Sequence, residues 1–326
     1  MENNNVTNLL YLMNGNIIND TETNQPAINY LNEVDKETVG LVKSTLTKLI
    51  NKIYTDFKDD NYSNVNRLIE KYQAYIKVLN DNITIDDIKI SIEGNYIRLY
   101  YYGLQLCYFS LGNKKLKENE YGEGFIIWNI IGKLTCNGKT KLCKKYCYNN
   151  CKSFESTCKT KINNLIFSLL DVFVPAINKM ILSVNRYRKT YFRIHEDGDF
   201  YNMTYFNKWI DILKVNSNVI FTAYTKEPKL LGQINDLNNQ YSNLTLRYSI
   251  MEDTSKHILD KVTENNIPCY VVMGRKPFKM CSDKEKQNIK ELETQIVNLP
   301  ATCKKSCKYC KKCYNLEVNR LFTTMH

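Results

Sequence analysis

The sequence predicts an α/β protein whose core is a partial (βα) barrel of parallel strands, preceded by a helical and β-hairpin region and followed by a cysteine-rich tail. Three observations predict it. Short β-branched and aromatic runs at 190–195, 219–224, 244–250 and 268–273 recur every 25 to 30 residues. Apolar residues at helical spacing fill the intervals, which is the pattern of successive βαβ units. Each run also ends in polar or charged residues, where parallel α/β proteins keep their working groups. The alternation suits a complete barrel or an open doubly wound sheet as well, so the closure is left to the structure.

Taken in order, residues 1–25 are rich in Asn and Thr and read as a frayed terminus. Apolar spacing near 3.6 predicts helices at about 27–56 (Leu41, Val42, Leu46, Leu49, Ile50, Ile53) and 62–80. Alternating residues on either side of Glu93-Gly94-Asn95 predict a hairpin of 88–92 with 96–100. The apolar run within 124–131 predicts a buried strand. A long helix is expected at 160–187, then helices at 202–215, 227–239 and 254–265 between the four strands, and a last one at 283–297. The tail beyond it looks too short for another βα unit. The expected regions are 1–106 (helices and hairpin), 107–280 (α/β core) and 281–326 (helix and cysteine cluster).

Of the 326 residues, 43% are hydrophobic and 24% charged, which excludes a wholly disordered or collagen-like chain. The sequence begins with the polar Met1-Glu2-Asn3-Asn4-Asn5, without a basic signal-peptide region, and its longest apolar stretch, 165–177, is broken by Asp171 and Pro175. The expectation is a cytoplasmic protein, not a membrane one, whose twelve cysteines are reduced thiols available to metal. Five of these cysteines lie within 136–158 and four within 303–313. The formal charge of +11 sits in the same places: 133–161 carries eight lysines and one glutamate, and 301–326 carries five lysines, one arginine and one glutamate. Such lysines balance thiolate-bound metal, or present a cationic surface to nucleic acid.

The tail carries Cys303-x3-Cys307-x2-Cys310-x2-Cys313, four thiols within eleven residues, which suits an iron–sulfur cluster or zinc. Upstream, Cys136-x6-Cys143-x3-Cys147-Tyr148 stands between a strand and a helix, where three thiols suit a [4Fe–4S] cube with one open position; zinc held by Cys136, Cys143, Cys147 and Cys151 is the alternative. Gly132-x5-Gly138-Lys139-Thr140 imitates a phosphate-binding loop but has five intervening residues where that loop has four, so nucleotide binding is not assigned to it. The strand ends supply His195-Glu196-Asp197-Gly198-Asp199, then Thr222, Tyr224, Thr225 and Lys226, then Ser249, Glu252 and Asp253, then Gly274, Arg275 and Lys276.

Several of these stretches together resemble the bacteriophage gene product 88-like family over roughly 107–315. They are Ser110 to Lys115, Thr135-Cys136 through Cys147-Tyr148, Tyr191 to Tyr201, Phe221 to Lys226 and the terminal cysteine run. That family is similar to phage radical-S-adenosylmethionine-like proteins. The resemblance implies a [4Fe–4S] cluster on Cys136, Cys143 and Cys147, and an auxiliary one on Cys303, Cys307, Cys310 and Cys313. It implies S-adenosylmethionine held near Gly198 and Asp199 and a later strand ending in Thr225-Lys226; Thr225 and the strand-end Ser249 complete the expected cofactor-binding set. His195, Glu196, Asp199 and Lys226 are then the candidate catalytic residues. The expected function is a radical-S-adenosylmethionine-like iron–sulfur protein of a phage or mobile element, acting on an unknown substrate, with a nucleotide or nucleic acid in view. The rival readings are a zinc- or cluster-stabilised nucleic-acid-binding protein, and a metal-dependent hydrolase using Glu196, Asp197 and Asp199.

Overall fold

The computed structural model describes residues 36–59, 64–112, 122–147, 155–184, 189–273, 287, 312–315 and 320–324. Among them, nine strands form one sheet in the order in which they occur in the chain. Two helices, α1 (Lys36–Lys58) and α2 (Val65–Asn82), come first, followed by β1 (Ile88–Glu93), β2 (Tyr96–Tyr101) and β3 (Leu104–Ser110). The Glu93-Gly94-Asn95 turn works because Gly94 takes a φ of 57°, which a side chain would oppose. β1, β2 and β3 pair antiparallel, and Ser110 of β3 meets Ile127 of β4 (Glu123–Trp128) antiparallel as well.

From β4 onward every pairing is parallel. β4 is followed by β5 (Lys189–Ile194), β6 (Val219–Thr225), β7 (Leu244–Met251), β8 (Cys269–Met273) and β9 (Arg320–Thr324), each beside its predecessor. The helices between are α3 (Lys141–Tyr146), α4 (Glu155–Leu169), α5 (Phe173–Ser183), α6 (Met203–Val215), a 3-10 turn at Pro228–Gln233 running into α7 (Ile234–Gln240), and α8 (Lys256–Glu264). Helices α4 to α8 all contribute buried residues to the main core, which lies on one face of the sheet. On that face Ile126, Trp128, Phe192, Ile194, Phe221, Ala223, Leu246 and Ile250 pack with them in the main core. The opposite face carries a smaller cluster of Phe125, Ile127 and Tyr191 beneath Tyr314. Covered on both sides, β4 and β7 are buried along their whole length, the polar Thr245, Arg247 and Ser249 of β7 included.

The prediction of a mixed α/β fold with four parallel strands after residue 188 holds, and so does the hairpin. Four points differ. The sheet is not a closed barrel: β1 and β9 are its edges, and β4 is flanked by the antiparallel β3. A sixth parallel strand, β9, follows the cysteine-rich tail, where no room was expected; five residues, Arg320–Thr324, suffice because β8 already offers a template edge. The long helix of 160–187 is two helices meeting at 111°. Pro175 lacks an N–H and its ring crowds the carbonyl four residues earlier, so α4 cannot run through it. The metal-binding tail is not shown: Cys303, Cys307 and Cys310, Cys151, the terminus at 1–25 and nearly all of 283–297 lie outside the described residues. No single helix among the described residues is long and apolar enough to cross a membrane.

Candidate functional site

The C-terminal ends of β4 to β7 meet at one rim of the sheet, and the segments leaving them are tied together by buried polar contacts. Asn129, directly after β4, accepts the N–H groups of Glu196 and Asp197 on its side-chain oxygen at 2.7 and 2.8 Å. Its backbone carbonyl accepts Asn164 Nδ2 of α4 at 2.7 Å. His195 closes β5 by donating its N–H to Trp128 O, and takes a φ of 64°, a left-handed geometry that costs a β-carbon residue energy. Its ring is buried, with Nε2 2.8 Å from the Tyr205 hydroxyl. Burial, helped by the Arg193 charge, lowers its pKa to about 3, so it is neutral imidazole at any ordinary pH.

The two aspartates of this turn have different partners. Asp197 forms a buried ion pair with Lys161 of α4, Nζ to Oδ2 2.6 Å, and Gly132 is a glycine because a Cβ there would collide with Asp197 Oδ1. Burial raises the Asp197 pKa and Lys161 opposes it. Gly198, at φ 91°, lets the chain turn against Ile130 and Thr135. Asp199 accepts three hydrogen bonds at 2.7 Å: from Phe200 N and Thr225 Oγ1 on one oxygen, and from Lys226 N on the other. It therefore fastens the end of β6 to the turn after β5. Burial outweighs those hydrogen bonds and carries its pKa up to about 6.

A folded-state pKa above the unfolded value means the folded state binds the proton more tightly. The metal-free protein is expected to lose stability as pH rises from about 4 to about 6, by about 3 kcal/mol from this group. Asp199→Asn keeps the acceptor oxygen and is expected to flatten that part of the stability profile, measured by urea unfolding at pH 4, 5, 6 and 7. An unchanged slope would refute the assignment to Asp199.

The side chains beyond Asp199 face a cavity of about 450 Å³. Lys226 and Ser249, from the ends of β6 and β7, stand in it 2.8 Å apart, Nζ donating to Oγ. Gly138, Lys139, Thr140 and Lys141 form the opposite wall, with Thr140 capping α3 through the Cys143 N–H at 3.1 Å. The structure thus brings Gly198, Asp199, Thr225, Lys226 and Ser249 into one rim. His195 is joined to them through the chain but bonded to the core tyrosine, and Glu196 is placed by its N–H on Asn129. Sequence reasoning missed Asn129, and read Lys139, Lys141 and Lys161 only as part of a lysine-rich stretch that balances thiolate charge or meets nucleic acid; a polar residue after the strand and a lysine opening an apolar helical run were the signals of Asn129 and Lys161.

Cys136, Cys143 and Cys147 are outside any disulfide and all half-buried, on the segment between β4 and α4. Burial raises the Cys136 pKa, and the Asp199, Asp197 and Cys143 charges raise it further. The donor chemistry fits a soft metal or an iron–sulfur cluster, with Lys139 near Cys136 and Cys143 to balance thiolate charge. Among the described residues no three His, Cys, Asp or Glu side chains already stand around one point. Cys158, by contrast, is buried and disulfide-bonded, which departs from the expectation that every cysteine is a reduced thiol. Cys313 lies elsewhere, on the face opposite the helices. Its carbonyl accepts the Thr222 hydroxyl at 2.9 Å and Arg247 Nη1 at 2.6 Å, and Arg247 Nη2 reaches Asn315 O at 2.7 Å.

The Gene product 88 family model matches residues 107–316. The chain belongs to the Gene product 88 family. The match begins within β3 and takes in β4 to β8, the whole rim and Cys313, so α1, α2 and the hairpin stand outside the part this family shares. Searches of curated proteins and of solved structures find no match to this Gene product 88 chain.

Proposed function

We propose that this chain is an iron–sulfur enzyme of radical-S-adenosylmethionine-like type, built on a partial (βα) barrel, with the cluster on Cys136, Cys143 and Cys147. The observation that carries the reading is the consecutive parallel order of β4 to β9, which sets the thiol-bearing segment after β4 beside the Gly198-Asp199 turn after β5, Thr225-Lys226 after β6 and Ser249 after β7. A cluster there would supply an electron to a ligand at its open position. The chain's own groups divide the remaining work. Asp199 and Thr225 hold the turn and the end of β6 in register. Lys226 and Ser249 present an ammonium and a hydroxyl to the ligand, and neutral His195 anchors the turn to Tyr205 rather than moving protons near pH 7. Asp197 and Asp199 are engaged with Lys161 and with Thr225 and Lys226, which supports this reading over a carboxylate-metal hydrolase.

Protein purified without oxygen is expected to be brown and to contain iron and acid-labile sulfide, both lost when Cys136, Cys143 and Cys147 are changed to Ala. After chemical reduction it is expected to release 5′-deoxyadenosine from S-adenosylmethionine. A colourless protein that takes up zinc alone, even after reconstitution with iron and sulfide, would overturn the proposal. In that outcome the exposed lysines of α3, Lys141, Lys144 and Lys145, favour a zinc-stabilised nucleic-acid-binding protein instead.

A further inference from the structure

The cavity beside the thiol segment has a positive charge that its walls balance only in part. Lys139, Lys141 and Lys226 line it, against the single carboxylate of Asp253. Among the described residues none of these three lysines lies within ion-pair distance of an acid. Lys226 Nζ donates to Ser249 Oγ and Lys139 Nζ to the Lys133 carbonyl, both neutral acceptors. Asp253 is itself occupied, Oδ2 taking the Leu142 N–H of α3 at 2.7 Å. Three lysines line one recess, and the fold fixes the backbone that carries them: Gly138 presses against the Lys226 carbonyl, and Thr140 caps α3. Because Ser249 Oγ accepts from Lys226, its own proton is free to donate into the cavity. With Asp253 counted, the lining is left with two positive charges; one carboxylate ligand would meet half of that charge, whereas a phosphate with two negative charges matches it. The volume, about 450 Å³, is that of a small-molecule site.

We propose that this cavity binds a phosphate-bearing small molecule, its anion held by Lys139, Lys141 and Lys226 with the Ser249 hydroxyl. The proposal names the substrate class of the rim described above and rests on that rim being a ligand site, but it does not require the cluster. The phosphate is met by side chains and not by a phosphate-binding loop, which is consistent with the extra residue between Gly132 and Gly138.

The test is calorimetric titration of the full-length protein with inorganic pyrophosphate at low salt, in parallel with the assays for iron and 5′-deoxyadenosine. Saturable binding of one pyrophosphate per chain is expected, weakened about tenfold or more by Lys226→Met and by Lys141→Met, because a charge-assisted hydrogen bond is lost in each. Lys214→Met, on exposed α6 surface, is expected to bind as the unaltered protein does. Lys141 is exposed, so its variant keeps the test valid if Lys226→Met fails to fold. Three results would overturn the proposal: no binding at millimolar pyrophosphate, binding by both cavity variants as tight as that of the unaltered protein, or displacement of pyrophosphate by single-stranded DNA without terminal phosphates, which marks a nucleic-acid surface. Pyrophosphate binding without iron or 5′-deoxyadenosine would refute the cluster reading and leave this one standing.

Discussion

Gly138→Ala is expected to destabilise the protein by about 3 kcal/mol or more and to abolish anion binding in the cavity. A Cβ at this position would overlap the Lys226 carbonyl oxygen and lie 2.5 Å from its carbon. The obstacle is backbone, so no side-chain rotation relieves it. Nor can the Lys226 peptide retreat, because its N–H is bonded to buried Asp199 and its carbonyl accepts the Tyr248 hydroxyl at 3.3 Å. The segment carrying Lys139, Thr140 and Lys141 must lift instead, breaking the wall of the cavity and the contact of Leu142 N–H with Asp253. Urea unfolding measures the loss. Gly232→Ala is the comparison, since a Cβ there meets nothing within 4 Å; its stability is expected to change by less than about 0.5 kcal/mol. A Gly138→Ala protein as stable as Gly232→Ala would refute the close approach.

The second large effect is expected at Lys161. Replacing it with Met leaves the Asp197 carboxylate, 6% exposed, without its cationic partner, which costs about 3–5 kcal/mol near neutral pH. Burial already raises the Asp197 pKa, and losing Lys161 raises it further. The folded variant therefore holds the Asp197 proton more tightly than the unfolded chain does. Its stability is expected to be best preserved at low pH and to fall as pH rises through the folded pKa, so the gap from the unaltered protein is wider at pH 8 than at pH 5. Lys161→Met combined with Asp197→Asn removes both charges and keeps an oxygen for the turn's N–H groups. That double variant is expected to recover most of the loss. A gap independent of pH would show that Lys161 contributes through packing alone.

Much of the rim was legible in the sequence. The runs ending at Trp128, Ile194, Thr225 and Met251 mark strands through their β-branched and aromatic residues, and the turn-forming polar residues that follow mark where each leaves the sheet. The helix break before Pro175 could have been read from the proline itself; the strength of the surrounding apolar pattern hid it. β9 could not be read, because five residues carry too little periodicity and its strand character depends on the waiting edge of β8. Lys161 and Asp197 are ordinary surface residue types, and thirty-six positions of chain separate them, so only the packing of α4 on the strand ends reveals them as a pair.

The sequence by itself determined the α/β class, the alternation of strands and helices between 189 and 273, the concentration of cysteine and lysine in the same short stretches and the Gene product 88 membership, because each is local pattern. The tertiary structure decided that the sheet stays open, and that Asp199 and Thr225 bind each other while Lys226 and Ser249 face a cavity. It also placed Cys313 on the face away from the helices. Those outcomes depend on which polar groups meet across different strands, and burial rewards only the pairings that satisfy one another.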